Sequence, residues 1–378
     1  MPSIAFKDIV SNYCERVAPS DEGNVPYIGL EHIGADSFTV PILGNSQEVK
    51  GQKFKMKKGD VLFGRRRAYQ KKVAIAPCDG IFSAHGMIFR PKSTIIQELL
   101  PFFIRSDAFM NKAISLSVGS LSPTLNWGAI KDVQFSIPEL ESQFPIAELL
   151  WAIEEDIELI NQQICQMDLL IKSRFIEMFQ PFFNLEECVS LESLCNTFVD
   201  GDWIESKDQD TSGIRLIQTG NVGISKYLDK ADKARFINEE TFGRLNCTEV
   251  LPGDILISRL PDPIARSCII PDGLGKSITG VDCTIVRFKD KINPVFFNQY
   301  TLIDHYLSQI SAFEAGSTRK RISRKNLGKI KVPLPPMDLQ NQFASFVEQV
   351  DKSKFELQKH LEDTKKLQKA LINQAFKQ

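Results

Sequence analysis

The chain has 378 residues, 43% of them apolar and 25% charged, with a formal net charge of −1. That length predicts two to three globular domains, and no apolar run approaches the roughly 18 residues of a membrane span. The near-zero total excludes neither nucleic acid nor protein as a partner, because it conceals zones of opposite sign.

The N-terminal stretch MPSIAFKDIVSNYCERV lacks the basic-then-apolar layout of an export signal. A reducing, cytoplasmic setting is therefore expected for the eight cysteines, at 14, 78, 165, 188, 195, 247, 268 and 283, none spaced C-x-x-C. Residues 50–72 hold ten Lys/Arg against one acid, Asp60. Next come KVAIAP (72–77) and IFSAHGMIFRP (81–91), apolar runs between Gly and Pro that predict strands. The stretch 96–114 reads as helix. GSLSPTLNW (119–127) and IPELESQF (137–144) follow, and then Ile146, Leu150, Ile153, Ile157, Ile160, Ile164, Met167 and Ile171 alternate steps of four and three. That is a heptad seam. Residues 132–171 carry nine acids and no Lys or Arg.

The second half repeats this order. KKGDVLFGR (57–65) matches LPGDILISR (251–259), and GSLSPTLNW matches GSTRKRISRKN (316–326). IPELESQF matches VPLPPMDLQNQF (332–343), and a second seam follows through Phe343, Val347, Val350, Lys354, Leu357, Leu361, Thr364, Gln368 and Leu371. Gly59-Asp60 aligns with Gly253-Asp254, Arg65 with Arg259, Gly119-Ser120 with Gly316-Ser317, and Pro138 with Pro335. So long a period excludes a stacked solenoid and predicts a duplicated domain. Strand runs with one or two helices predict an α+β class: two tandem α/β domains, each followed by a long helix. The boundaries are expected at 1–143, 144–180, 181–341 and 342–378. Prolines 145 and 335–336 are expected to open the helices, and Pro181 to stop the first. Acids flank one seam and lysines the other, which favours pairing of the two helices as an antiparallel coiled coil. The second copy, counted from its proline to its Gln-Phe, reads as two residues longer, so the helical registers are expected to differ.

A search for catalytic chemistry finds little. DGLGKS (272–277) resembles the tail of a phosphate loop, but its first glycine would fall at Ile270. His32, His85, His305 and His360 have no ligand-spaced companions, and no amino-methyltransferase motif is present. Neither cofactor nor metal is expected. Nucleic-acid binding remains, because phosphates call for Lys/Arg clusters and base edges for Arg, Gln, Asn and Thr on protruding loops. GRRRAYQKK and GSTRKRISRKN supply both.

Together these segments resemble the specificity subunit of type I restriction–modification systems, over nearly the whole chain. The resemblance implies two target-recognition domains, each reading half of a split duplex site. It implies helices that space the domains and dock two methyltransferase subunits, and catalysis confined to the methyltransferase and restriction subunits. The residues expected at DNA are Arg65, Arg66, Arg67, Tyr69, Lys71 and Lys72 in the first copy. In the second they are Arg259, Arg266, Lys276, Arg319, Lys320, Arg321 and Arg324. The acid-rich face at 139–158 is expected to meet a basic protein partner or to repel DNA. A free-standing enzyme and a coiled-coil scaffold with incidental basic patches are the competing readings.

Overall fold

The duplication is visible in the main sheets of the computed structural model, which describes residues 3–313 and 320–377. The chain divides into two units, residues 1–163 with 356–378, and residues 164–355. In the first, an antiparallel sheet runs in the order Val10–Tyr13, Met87–Pro91, Val61–Phe63, Val73–Ile75. In the second the order is Cys195–Asp200, Cys283–Phe288, Ile255–Ser258, Arg266–Ile269, again antiparallel. Each unit adds one parallel pairing, Pro26–Ile28 with Gly80–Phe82 and Ile214–Ile217 with Ser277–Thr279. Each also has a two-stranded ribbon, Ser3–Ala5 with Gln134–Ser136 and Val189–Ser190 with Lys331–Val332.

The Gly-Asp pairs earn their place in a turn. Gly59 and Gly253 hold φ of +88° and +82°, a conformation that favours glycine. Asp60 follows, accepting the Lys57 N–H at 2.8 Å and both Nε and Nη2 of Arg90 at 2.6 and 2.9 Å. Asp254 likewise accepts the Leu251 N–H at 2.8 Å and Nε and Nη2 of Arg287 at 2.8 and 2.7 Å. Both carboxylates are buried, so each needs these donors.

A second shared device is a buried glutamine at the base of each long helix. The Gln143 side chain accepts the Ile96 N–H at 2.8 Å and donates to the Thr94 and Pro138 carbonyls, both at 2.8 Å. Gln340 accepts the Asn293 N–H at 2.9 Å and donates to the Lys291 and Pro335 carbonyls at 3.2 and 2.8 Å. Each glutamine lies five residues after its proline. The expected two-residue excess in the second copy is thereby corrected. Gln340, not Gln342, is the counterpart of Gln143, and the two helices start in the same register.

The helices span Leu140–Phe179 and Met337–Ala375. The first starts ahead of Pro145, which lies inside it and forfeits one N–H bond near the N-terminus, where the loss is small. Within each unit the two helices run antiparallel. In the first unit Glu154 faces Gln368 and Asp156 faces His360. In the second Asp168 faces Lys354 and Phe175 faces Phe343. Each unit thus has its own closed core. In the first, Ile372, Ala375 and Phe376 join Ala147, Leu150 and a cluster built on Phe6, Phe89, Phe103, Phe109 and Phe135. In the second, Ile171, Phe175 and Phe179 meet Phe296, Tyr300, Phe343 and Val347. Among the described residues no helix is long and apolar enough to cross a membrane.

Candidate nucleic-acid interface

The basic run of the first unit leaves the sheet at Phe63 and forms a loop whose residues divide into exposed and anchored. Arg66, Arg67 and Tyr69 are exposed, Tyr69 at 52%. Arg65 is half-buried and donates through Nη2 to the Ala84 carbonyl at 3.1 Å, and Lys72 donates to the Leu30 carbonyl. Lys71 Nζ lies 3.6 Å from Asp107. Arg67 and Lys71 hold left-handed φ of +57° and +52° on either side of the short turn Ala68–Gln70. Side chains other than glycine pay roughly 1–2 kcal/mol for that conformation. Here it is held by the Arg67 N–H donating to the Pro123 carbonyl at 2.7 Å.

That bond joins the arginine loop to a second one. Val118 and Thr124 exchange backbone hydrogen bonds of 3.1 and 2.9 Å, closing a tight loop over 118–124. The Leu125 N–H donates to the Arg65 carbonyl at 3.0 Å, and Arg66 Nη2 donates to Ser122 Oγ at 3.2 Å. His85 sits at the same place, its carbonyl accepting the Arg66 N–H at 3.2 Å. Partial burial, with Arg66, Arg65 and Lys53 nearby, pushes its imidazole below the usual range, so it is neutral at pH 7. Sequence reasoning gave His85 no ligand-spaced companion and did not place the 118–124 loop at DNA. The available signal was positional, since GSLSPT occupies the repeat position of the basic GSTRKR.

The second unit is built on the same joint with different chemistry. The Ile322 N–H donates to the Arg259 carbonyl at 3.2 Å, as Leu125 does to Arg65. Arg259 is half-buried, with Nη2 on the Val281 carbonyl at 2.5 Å and Nε 3.2 Å from the Asp200 carboxylate. Leu260, Pro261, Asp262 and Pro263 then take the place of the exposed arginines. Arg266 clamps that segment. Its guanidinium donates to the Pro261, Pro263, Thr219 and Val222 carbonyls at 2.6–2.9 Å. Lys276 pairs with Glu239 at 2.6 Å and lies 3.9 Å from the centre of the Phe242 ring. Lys320, Arg321 and Arg324 are exposed on the segment beside Arg259. Arg319 lies outside the described residues. The structure therefore gathers Arg66, Arg67 and Tyr69 on one surface and Lys320, Arg321 and Arg324 on another, while Arg65, Lys72, Arg259 and Arg266 brace the loops beneath.

The acidic stretch of the first long helix does two things within the first unit. Glu154 is buried, accepts from Gln368, and lies 3.6 Å from Arg105, whose guanidinium sits 3.5 Å from the centre of the Phe38 ring. Beside it Glu155 and Glu158 line a cleft of about 490 Å³ with Phe38, Val40, Pro77 and Trp151. Phe144, Leu149 and Leu159 remain exposed along this helix.

Comparison with known proteins gives a consistent result. The model of the type I restriction modification DNA specificity domain matches twice, at residues 12–167 and 187–365. The putative type I restriction enzyme MjaX specificity subunit of Methanocaldococcus jannaschii is 24% identical over 392 aligned positions, covering 97% of this chain and 89% of that one. A chain from a structural study of the assembly and conformational transition of a type I restriction–modification system superposes with a TM-score of 0.58 at 19% identity, covering 99% of this chain and 97% of its own. The type I specificity subunit of M. genitalium superposes with a TM-score of 0.52 at 13% identity, over 100% of this chain and 96% of that one.

Proposed function

The chain belongs to the type I restriction–modification DNA specificity family, and from that premise we propose that its two units read the two unlike halves of one asymmetric duplex target. It is the non-catalytic DNA-recognition subunit of such a system, with methyltransferase and restriction subunits as partners. The observation that carries the finer reading is the contrast between shared framework and unshared loops. The Asp–Arg brace, the buried glutamine and the loop joint recur in both units. The side chains those devices hold out to solvent do not recur.

In this reading Arg66, Arg67 and Tyr69 meet DNA in the first unit, and Arg319, Lys320, Arg321 and Arg324 in the second. Arg65, Lys71, Lys72, Arg259, Arg266 and Lys276 act mainly by fixing the loops. The two long helices serve as a spacer, each about 60 Å long at 1.5 Å per residue. The cleft lined by Glu155 and Glu158, with the exposed Phe144, Leu149 and Leu159, receives a basic, partly apolar surface of a methyltransferase subunit, two of which bind per chain. Negative charge at the cleft disfavours the duplex there.

The test is binding of the chain, assembled with its methyltransferase partner, to its target across a salt series. Arg66→Ala and Arg67→Ala are each expected to weaken binding by about 1–3 kcal/mol where a base edge is read. Where a phosphate is neutralised they lower the salt slope by about one instead. Wild-type affinity and slope in both variants would remove these residues from the interface.

A further inference from the structure

The 118–124 loop carries the most exposed large apolar side chain among the described residues, Leu121 at 89%, with Val118 at 72% on the same loop. A single exposed leucine is ordinary on a protein surface. This one is not isolated. Three hydrogen bonds tie its loop to the arginine loop, from Leu125 to Arg65, from Arg67 to Pro123, and from Arg66 to Ser122. The tip is also held at its base by the Val118–Thr124 pair, and Gly119 turns it with φ of +119°. A rigid apolar tip thus stands beside two exposed arginines and an exposed tyrosine. The corresponding segment of the second copy, GSTRKR, is polar and basic.

In the duplex major groove the apolar group available for contact is the 5-methyl of thymine. Arginines neutralise phosphates or take guanine edges, and none of them distinguishes that methyl. We propose that Leu121 is a specificity-determining residue of the first unit, packing on the 5-methyl group of one thymine in the half-site that this unit reads. The inference rests on the DNA-reading role proposed above. Arg66 and Arg67 hold the duplex against the loop pair, and Leu121 adds preference for one base pair. Charge complementarity with the adjoining arginines makes duplex DNA, rather than a second protein, the surface that covers Leu121.

The experiment uses the chain assembled with its methyltransferase partner and duplexes carrying the mapped target. Each thymine of the first half-site is replaced in turn by deoxyuridine, which lacks only the methyl group. One replacement is expected to weaken wild-type binding about fourfold, the size of one buried methyl group. Leu121→Ala is expected to bind the unmodified target more weakly and to be indifferent to that same replacement. Because Leu121 is exposed, the variant is expected to melt as the wild type does. A half-site without thymine, no replacement with an effect, or Leu121→Ala that still distinguishes thymine from deoxyuridine would each overturn the proposal. So would loss of assembly with the methyltransferase and unchanged DNA binding, which would assign Leu121 to a protein contact. If the wild-type assembly showed no sequence preference at all, the DNA-reading role itself would fail, which is a separate outcome.

Discussion

The loop pairs of the two units are built on one joint and filled in opposite ways. In the first unit the loop after the Gly-Asp strand is basic and exposed, and its neighbour carries Leu121. In the second the loop after the Gly-Asp strand is proline-rich and clamped by Arg266, and its neighbour carries Lys320 and Arg321. The lesson is that a duplicated recognition domain diversifies at the loops while the framework that aims them stays fixed. Framework groups are buried and mutually bonded, so changing one leaves a partner unsatisfied. Loop side chains are exposed, and most surface substitutions cost little stability.

The largest effects should therefore be symmetric and structural. Asp60→Ala and Asp254→Ala each strand an arginine and free a turn N–H. Each is expected to destabilise its own unit by about 2–4 kcal/mol in chemical denaturation. That is somewhat below the cost for a fully buried pair, because the Arg90 and Arg287 side chains are 28% and 33% exposed. Gln143→Ala and Gln340→Ala should follow at about 2–3 kcal/mol, again alike in the two units. Markedly unequal losses would break the equivalence of the two frameworks.

Smaller and asymmetric effects should come from the arginines. Arg266→Ala removes four hydrogen bonds to carbonyls and should loosen the 260–265 loop, read as faster amide exchange there. Arg66→Ala removes only the one exposed bond to Ser122, so it should change exchange in the 118–124 loop little and act mainly on DNA binding.

Acid provides a further contrast. Burial pushes Asp107 up, but the Asn373 amide and the Lys369 and Lys71 ammonium groups outweigh it and hold the carboxyl below 3.8. Its tie between the arginine loop and the C-terminal helix is therefore present above the unfolded value and is lost only as pH falls through the lower folded value. Burial pushes Asp202 of the second unit above 3.8, against bonds from Thr248 and Cys247. Its charge opposes folding at neutral pH, so its protonation on acidification contributes stability around it. Amide exchange followed between pH 7 and pH 4 should slow around Asp202 and Thr248 while the Asp107 tie holds.

The mildest probe is thiol labelling near pH 8. Burial pushes Cys195 and Cys268 up to about 12, and Cys247 and Cys283 up to about 11, so these four should resist alkylation while exposed Cys14 and Cys165 react.

Much of this was legible in the sequence because it is written in order and spacing. The Gly-Asp turns, the arginine after each following strand and the heptad seams are local patterns, and a duplication prints each of them twice. The helical register was misread because Gln-Phe follows the proline in both copies, and only the bonds of Gln143 and Gln340 separate a matching glutamine from a coincidental one. The split between reading and bracing arginines was not legible either. Arg66 and Arg266 are the same residue type on neighbouring loops, and their roles depend on which carbonyls the fold brings within reach. Leu121 was invisible because its own stretch, GSLSPT, carries no charge, and only the fold brings it beside Arg66 and Arg67.

The most direct test of two unlike reading heads on one framework is to map methylated bases after co-expressing the chain with its methyltransferase partner, before and after replacing residues 1–143 by those of a relative. A split motif whose one half changes while the other stays is the result expected. No split motif despite an active methyltransferase complex, or simultaneous change of both halves, would contradict it.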